Sequence, residues 1–217
     1  QKSLPLWGKV AEGRMRGGLA DSTRSWDIVM KPPLISPLTR TASPFRGSLF
    51  QQGVHFMCKI LVISDVHGHL RNLRWVLNNE TADALFFLGD GLYDLDGALQ
   101  LRKEPVPYPI YRVAGNCDVG YHDPSEGLAP FAGVLFFYTH GHHYGVKMGS
   151  ERLAECAGER GADVALFGHT HRRELVRGVG TAATVFNPGS LRDGGSYGVI
   201  TIENGKCSFT WKRVPEF

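Results

Sequence analysis

Lys59-Ile60-Leu61-Val62-Ile63-Ser64-Asp65-Val66-His67-Gly68 decides how this chain is read, because an apolar run of strand length ends in a turn carrying a carboxylate and an imidazole two positions apart. Helical spacing follows at Leu70, Leu73, Val76 and Leu77. The unit then recurs. Ala84 to Leu88 is a second apolar run, closed by Gly89-Asp90; a helix is expected around Leu95 to Arg102; Ile110 to Val113 closes on Gly115-Asn116. Alternating β and α elements predict a largely parallel sheet with helices on its faces. Further on, Val134 to Tyr138 ends at Thr139-His140, Glu151 to Arg160 has helical spacing, and Val164 to Phe167 ends at Gly168-His169. The rest reads as β: Leu175 to Val179, Thr184 to Phe186, Tyr197 to Ile202 and Cys207 to Trp211. The last two are joined by Asn204-Gly205, a dipeptide suited to a type I′ hairpin turn.

Upstream of this pattern the chain changes character. Residues 1–56 hold Pro5, Pro32, Pro33, Pro37 and Pro44, show no sustained period, and carry eight Lys or Arg against three Asp or Glu. They are expected to form a poorly ordered leader, with the domain at 57–217. Met57 precedes a strand directly and reads as a natural start; a native extension and an organelle transit peptide are the other readings. The formal charge of +3 belongs to this leader, since residues 57–217 carry sixteen basic against eighteen acidic side chains. A near-neutral body without a basic stripe argues against extended nucleic-acid binding, where phosphate neutralisation supplies most of the affinity. No apolar run approaches the roughly 18 residues that cross a bilayer. Cys58, Cys117, Cys156 and Cys207 form no CxxC pair or disulfide framework and read as reduced thiols. A cytoplasmic protein is expected.

Five strands end in side chains able to bind metal: Asp65 with His67, Asp90, Asn116, His140, and His169 with His171. Beyond the carboxyl ends of strands in an open α/β sheet the loops diverge and leave a crevice, so residues distant in sequence converge there. If strand geometry persists through each spaced pair, both of its side chains point to one face and serve one site. Imidazole, carboxylate and amide oxygen suit Mn, Fe, Zn or Ni better than an all-oxygen calcium site. Seven ligands imply two ions, with Asp90 placed to bridge them and a hydroxide held between them as nucleophile. Alone, a single Asp-x-His is more often surface chemistry, and Asn116 a turn residue.

Taken together, Ser64-Asp65-Val66-His67-Gly68, Gly89-Asp90-Gly91, Gly115-Asn116-Cys117-Asp118, Thr139-His140-Gly141-His142, Gly168-His169-Thr170-His171 and Asn187-Pro188-Gly189-Ser190 resemble the calcineurin-like metallophosphoesterase superfamily, within it the small YfcE-type phosphodiesterases. The resemblance covers residues 57–217. It implies a four-layer α/β/β/α sandwich, with Asp65, His67, Asp90 and His171 on one metal and Asp90, Asn116, His140 and His169 on the other. Manganese is the leading expectation. It further implies hydrolysis of a small phosphate ester, a phosphodiester before a phosphomonoester. Many members carry His after the Asn of the third motif, where it can protonate the leaving group, and this chain has Cys117. His142 is the leading substitute, with Asp118 and His69 behind it. The resemblance also extends to the retromer subunit of this fold, so a non-catalytic protein-binding scaffold is the alternative, disfavoured because all seven ligand positions are filled. Asn187 to Ser190 reads as a turn at the pocket edge. Arg172 and Arg173 either draw in an anion or line a solvated strand edge. Room for a cap over the site is lacking, and exposed strands in the C-terminal half suggest a homo-oligomer.

Overall fold

A computed structural model describes residues 57–216 of the chain. The leader expected at 1–56 lies outside the described residues. Strands β1 (Met57–Ile63), β2 (Ala84–Phe87) and β3 (Ile110–Arg112) pair in parallel. β9 (Ser196–Glu203) and β10 (Lys206–Arg213) extend this sheet antiparallel, in the order β10-β9-β1-β2-β3. The second sheet runs β4-β5-β6-β8-β7, with β5 (Val134–Thr139), β6 (Val164–Leu166) and β8 (Thr184–Pro188) parallel. β4 (Glu126–Phe131) and β7 (Arg173–Val176) lie antiparallel at its edges.

Period-two alternation sends successive side chains of each strand to different layers. Leu61 and Ile63 of β1 face α1 (Leu70–Asn79) and α2 (Leu92–Gln100), whereas Ile60 and Val62 face the second sheet. Between the sheets, Phe86, Phe136, Leu166, Phe186 and Ile200 are fully buried. Burying a side chain of this size contributes about 1.5–3 kcal/mol. The outer face of the second sheet packs Phe137, Ala165, Phe167 and Val185 against Leu153 and Ala157 of α3 (Glu151–Glu159). The layers are therefore α/β/β/α, as expected.

The helix α1 illustrates the local logic. Leu73, Val76 and Leu77 form its buried stripe, and it stops where Glu80 turns to extended backbone while still donating its N–H to the Val76 carbonyl (2.9 Å). In the hairpin between β9 and β10, Asn204 and Gly205 both take positive φ (51° and 73°), the conformation a type I′ turn demands. β4 is the strand that periodicity did not reveal. Its Gly127 and Pro130 break the pattern, and both are tolerated because β4 is an edge strand. A side chain at Gly127 would lie 2.4 Å from the Tyr138 ring on β5.

Candidate metal centre

The carboxyl ends of β1, β2, β3, β5, β6 and β8 open toward one another, and their loops are tied across the two sheets. The His169 N–H donates to Asp65 Oδ2 (3.1 Å), the Ser190 hydroxyl donates to the Asp65 carbonyl (3.0 Å), and Asn187 Nδ2 donates to the Gly168 carbonyl (2.9 Å). Asn187 to Ser190 thus brace the crevice, but Asn187 and Pro188 close strand β8 where the sequence reads a turn. Five of the seven candidate ligands, Asp65, His67, Asp90, His169 and His171, have φ between 42° and 66°. Non-glycine residues in that region are strained by about 1 kcal/mol or more each, and persist where surrounding contacts fix them.

All seven candidates meet in one place. Asp65 Oδ1 is 3.3 Å from His171 Nε2 and 3.8 Å from His67 Nε2, and the two Nε2 atoms are 3.2 Å apart. On the other side His140 Nε2 lies 3.2 Å from His169 Nδ1 and 3.2 Å from Asn116 Oδ1. Asp90 Oδ2 stands between the two groups, 3.6 Å from His67 Nε2 and 3.4 Å from His140 Nε2. One expectation from spacing needs correction. Asp65 and His67 do share a group, but His169 and His171 separate, one to each; all four have left-handed backbone in place of strand geometry, so a spacing of two does not decide which side chains meet.

Orientation of the rings comes from their far nitrogens. His140 Nδ1 lies 2.7 Å from the Leu88 carbonyl and His171 Nδ1 lies 2.5 Å from Asp193 Oδ2, so in each ring Nδ1 carries a proton and Nε2 is the atom turned toward the crevice. The buried Asp65 Oδ1 has no hydrogen-bond partner among the described residues. Such an arrangement calls for positive charge, and the titration directions agree. The Asp65 carboxylate lifts His171 to about 9, working against burial and with Asp193. Burial opposes charge on His140, yet Asp90 and Asp65 raise its pKa; the same pairing overcomes burial to hold Asp90 well below the usual carboxylate range. His169 falls to about 4 through burial, with the charges of His140 and Lys147 adding to it. Oxygen and imidazole donors converging on orphaned negative charge fit divalent cations.

Cys117 is exposed, accepts from Asn116 Nδ2 at 3.2 Å, and belongs with His67 and Asp90 to a third set of converging donors. Burial of the thiol and the neighbouring Asp90 raise its pKa to about 11. The His142 ring sits 5.4 Å from that of His140 and 6.1 Å from that of His169, with Nδ1 buried and unpartnered. Asp118 has a structural task. Its two oxygens accept the N–H groups of Asp90, Gly91, Leu92 and Gly115 at 2.7–2.9 Å, clamping the second and third motif loops together. His69 is exposed. Arg172 and Arg173 part company: Arg172 lines a groove with Thr170, Lys147 and Glu174, while Arg173 donates to Ser196 Oγ at 2.7 Å and so serves the fold. Sequence reasoning missed Asp193, whose only signal is its place three residues after Ser190 of the last motif.

Among the described residues no helix is long and apolar enough to cross a membrane. The family model for the calcineurin-like phosphoesterase superfamily domain matches residues 58–205. A probable metallophosphoesterase of Bacillus subtilis (strain 168), YsnB, is 33% identical over 152 residues, spanning 67% of this chain and 85% of that protein. Among solved structures, an archaeal phosphodiesterase superposes with a TM-score of 0.54 at 24% identity, covering 72% of this chain and 99% of that one. Vacuolar protein sorting 29 of Cryptosporidium parvum gives 0.54 at 16% identity, covering 74% and 100%. These last two likenesses show the fold alone. The family match and the one-third identical relative together establish that the chain belongs to the calcineurin-like phosphoesterase superfamily, a metal-dependent family.

Proposed function

We propose that this protein is a two-metal phosphodiesterase. The observation that carries the reading is the convergence of donor atoms on the buried Asp65 Oδ1, which has no hydrogen-bond partner among the described residues and lies 3.3 Å from His171 Nε2, repeated on the other side where Asp90 Oδ2 lies 3.4 Å from His140 Nε2. Asp65, His67 and His171 would hold one divalent cation and Asn116, His140 and His169 the other, with Asp90 shared. Manganese is the preferred ion, with Fe, Zn and Ni as alternatives that the same donors accept. Such a pair supplies Lewis acidity toward a phosphoryl oxygen and a water of lowered pKa. The protein's own part is to fix both groups of ligands before substrate arrives, which the clamped loops and oriented rings accomplish.

Asn116 and Cys117 are exposed at the rim, so one side of the crevice is open to an ester with two substituents. That openness favours a phosphodiester over a monoester. The archaeal protein that shares this fold is a phosphodiesterase, which is in keeping with that choice. His142, beside His140 and His169, is placed to give a proton to the departing alkoxide.

The test is hydrolysis of bis(p-nitrophenyl) phosphate and p-nitrophenyl phosphate by chelator-stripped protein with Mn, Ni, Zn or Mg restored in turn. Diester turnover that returns with metal and is lost in Asp90→Ala is expected. Monoester turnover alone would make the protein a phosphomonoesterase. No turnover with any metal would favour a protein-binding scaffold of the same fold. His142→Ala should slow an alkyl ester, whose alkoxide needs a proton, far more than the p-nitrophenyl ester.

A further inference from the structure

A groove of about 550 Å³ has Arg71, Arg192, Arg213 and His69 on its walls, with Glu216 among its described lining residues. Its position is set by backbone. The Arg192 N–H donates to the Asp65 carbonyl (3.1 Å), which places this arginine one hydrogen bond from the loop that carries Asp65 and His67. His69 lies two residues past His67. The walls are braced as well: Asn72 Nδ2 on α1 donates to the Leu191 carbonyl (2.9 Å), and the Val214 N–H donates to the Gly195 carbonyl (2.9 Å).

Among the described lining residues arginine outnumbers carboxylate, and these side chains bring a net positive charge to the groove. Arg192 has one loose approach to Asp193, Nε to Oδ1 at 3.9 Å, and the Asp193 carboxylate is already committed to His171 through Oδ2. Burial lowers the pKa of Arg173, and the charge of Arg213 lowers it further. Planar guanidinium forks in a concave surface match phosphate oxygens in shape and in donor direction. Arg192 and Arg213 do not belong to the buried core. Resting on the phosphodiesterase reading, we propose that the groove is a second phosphate subsite, and that the preferred substrates are phosphodiesters bearing another phosphoryl group on the arm that lies over His69 and Arg192.

The substrate pair that separates the two ideas is thymidine 5′-(p-nitrophenyl phosphate), with and without a 3′-phosphate, supplied to the Mn-loaded full chain. A preference of about tenfold in kcat/KM for the 3′-phosphorylated ester is expected, as charge-assisted pairing implies. Arg213→Ala should bring it close to one, and Arg213→Lys should keep part of it. A ratio between substrates is insensitive to a general loss of active protein. Calorimetry gives a reading independent of turnover: thymidine 3′,5′-bisphosphate should bind more tightly than thymidine 5′-monophosphate, by a factor that Arg213→Ala removes. Equal handling of both members of each pair by the wild type, or a preference that survives Arg213→Ala, overturns the subsite. Selective binding without turnover of either ester would leave the subsite standing and overturn the phosphodiesterase reading.

Discussion

Asp193 Oδ2 lies 2.5 Å from His171 Nδ1, across 22 residues of chain, and fixes which face of that imidazole looks toward Asp65. The carboxylate is half-exposed, and His171 holds its pKa below the ordinary value. Removing such a carboxylate behind a metal-binding histidine reduces affinity by about 10–100-fold in general. Asp193→Ala is expected to weaken Mn binding by that order while leaving the melting temperature of the metal-free protein nearly unchanged. Asp193→Asn, which keeps an oxygen acceptor, should recover part of the loss. Calorimetric titration of both variants checks this.

Gly168 tests the packing behind the ligands. A Cβ there would meet Ser64 Oγ at 1.9 Å and Asp65 Oδ2 at 2.9 Å, and both Ser64 and Asp65 are fully buried. Overpacking of this kind costs about 1–3 kcal/mol, because neither neighbour has room to retreat. Gly168→Ala is therefore expected to lower stability by that amount in urea melts. It should also weaken metal binding, since the displaced oxygen belongs to Asp65. Unchanged stability together with unchanged metal affinity would show that the loop after β6 is more pliant than its packing implies.

Away from the crevice, Glu80 joins three elements: Oε2 accepts from Lys59 on β1 (2.6 Å), and Oε1 accepts from Tyr197 on β9 (2.7 Å) and Lys212 on β10 (2.8 Å). Burial alone would raise its pKa, but the ammonium groups of Lys212 and Lys59 and the Tyr197 hydroxyl outweigh it and lower the value from 4.5 to about 2. A depressed carboxyl stabilises the fold fully above its unfolded value and loses that contribution as pH falls through the folded value. The full linkage is roughly 3 kcal/mol, and solvent around the partly exposed lysines reduces it to about 1–2 kcal/mol. Urea melts of wild type and Glu80→Gln should differ by that amount at pH 7, and the gap should shrink steadily between pH 4.5 and pH 2. A gap that is independent of pH would contradict the assignment.

How far the sequence reveals this molecule depends on which residues carry the information. Strand ends such as Ile63-Ser64-Asp65 and Leu166-Phe167-Gly168-His169 are legible because an apolar run and a polar ligand differ sharply, and the element order follows from them. β4 is not legible, since Gly127 and Pro130 answer to the Tyr138 ring and to an open sheet edge, which periodicity does not encode. The two-residue spacing of His169 and His171 misleads when read as strand: both ligand pairs have left-handed backbone, yet only Asp65 and His67 share a group, so the partition follows from where each loop sits in the crevice. Asp118 and Asp193 act through tertiary contacts. Asp118 sits inside a recognisable motif but works as a clamp on backbone N–H groups, and Asp193 sits in a glycine-rich turn with no spacing rule to link it to His171.

Whether Asp90 joins two cation sites is tested most directly by electron paramagnetic resonance of the Mn-loaded protein. Metal-free chain titrated with Mn should take up about two ions per molecule and show the exchange-coupled spectrum of a bridged pair, since paired sites of this type place ions about 3.5–4 Å apart. Asp90→Ala should abolish the coupling. Binding of a single ion with an isolated six-line signal, in wild-type protein saturated with Mn, would contradict the two-metal account.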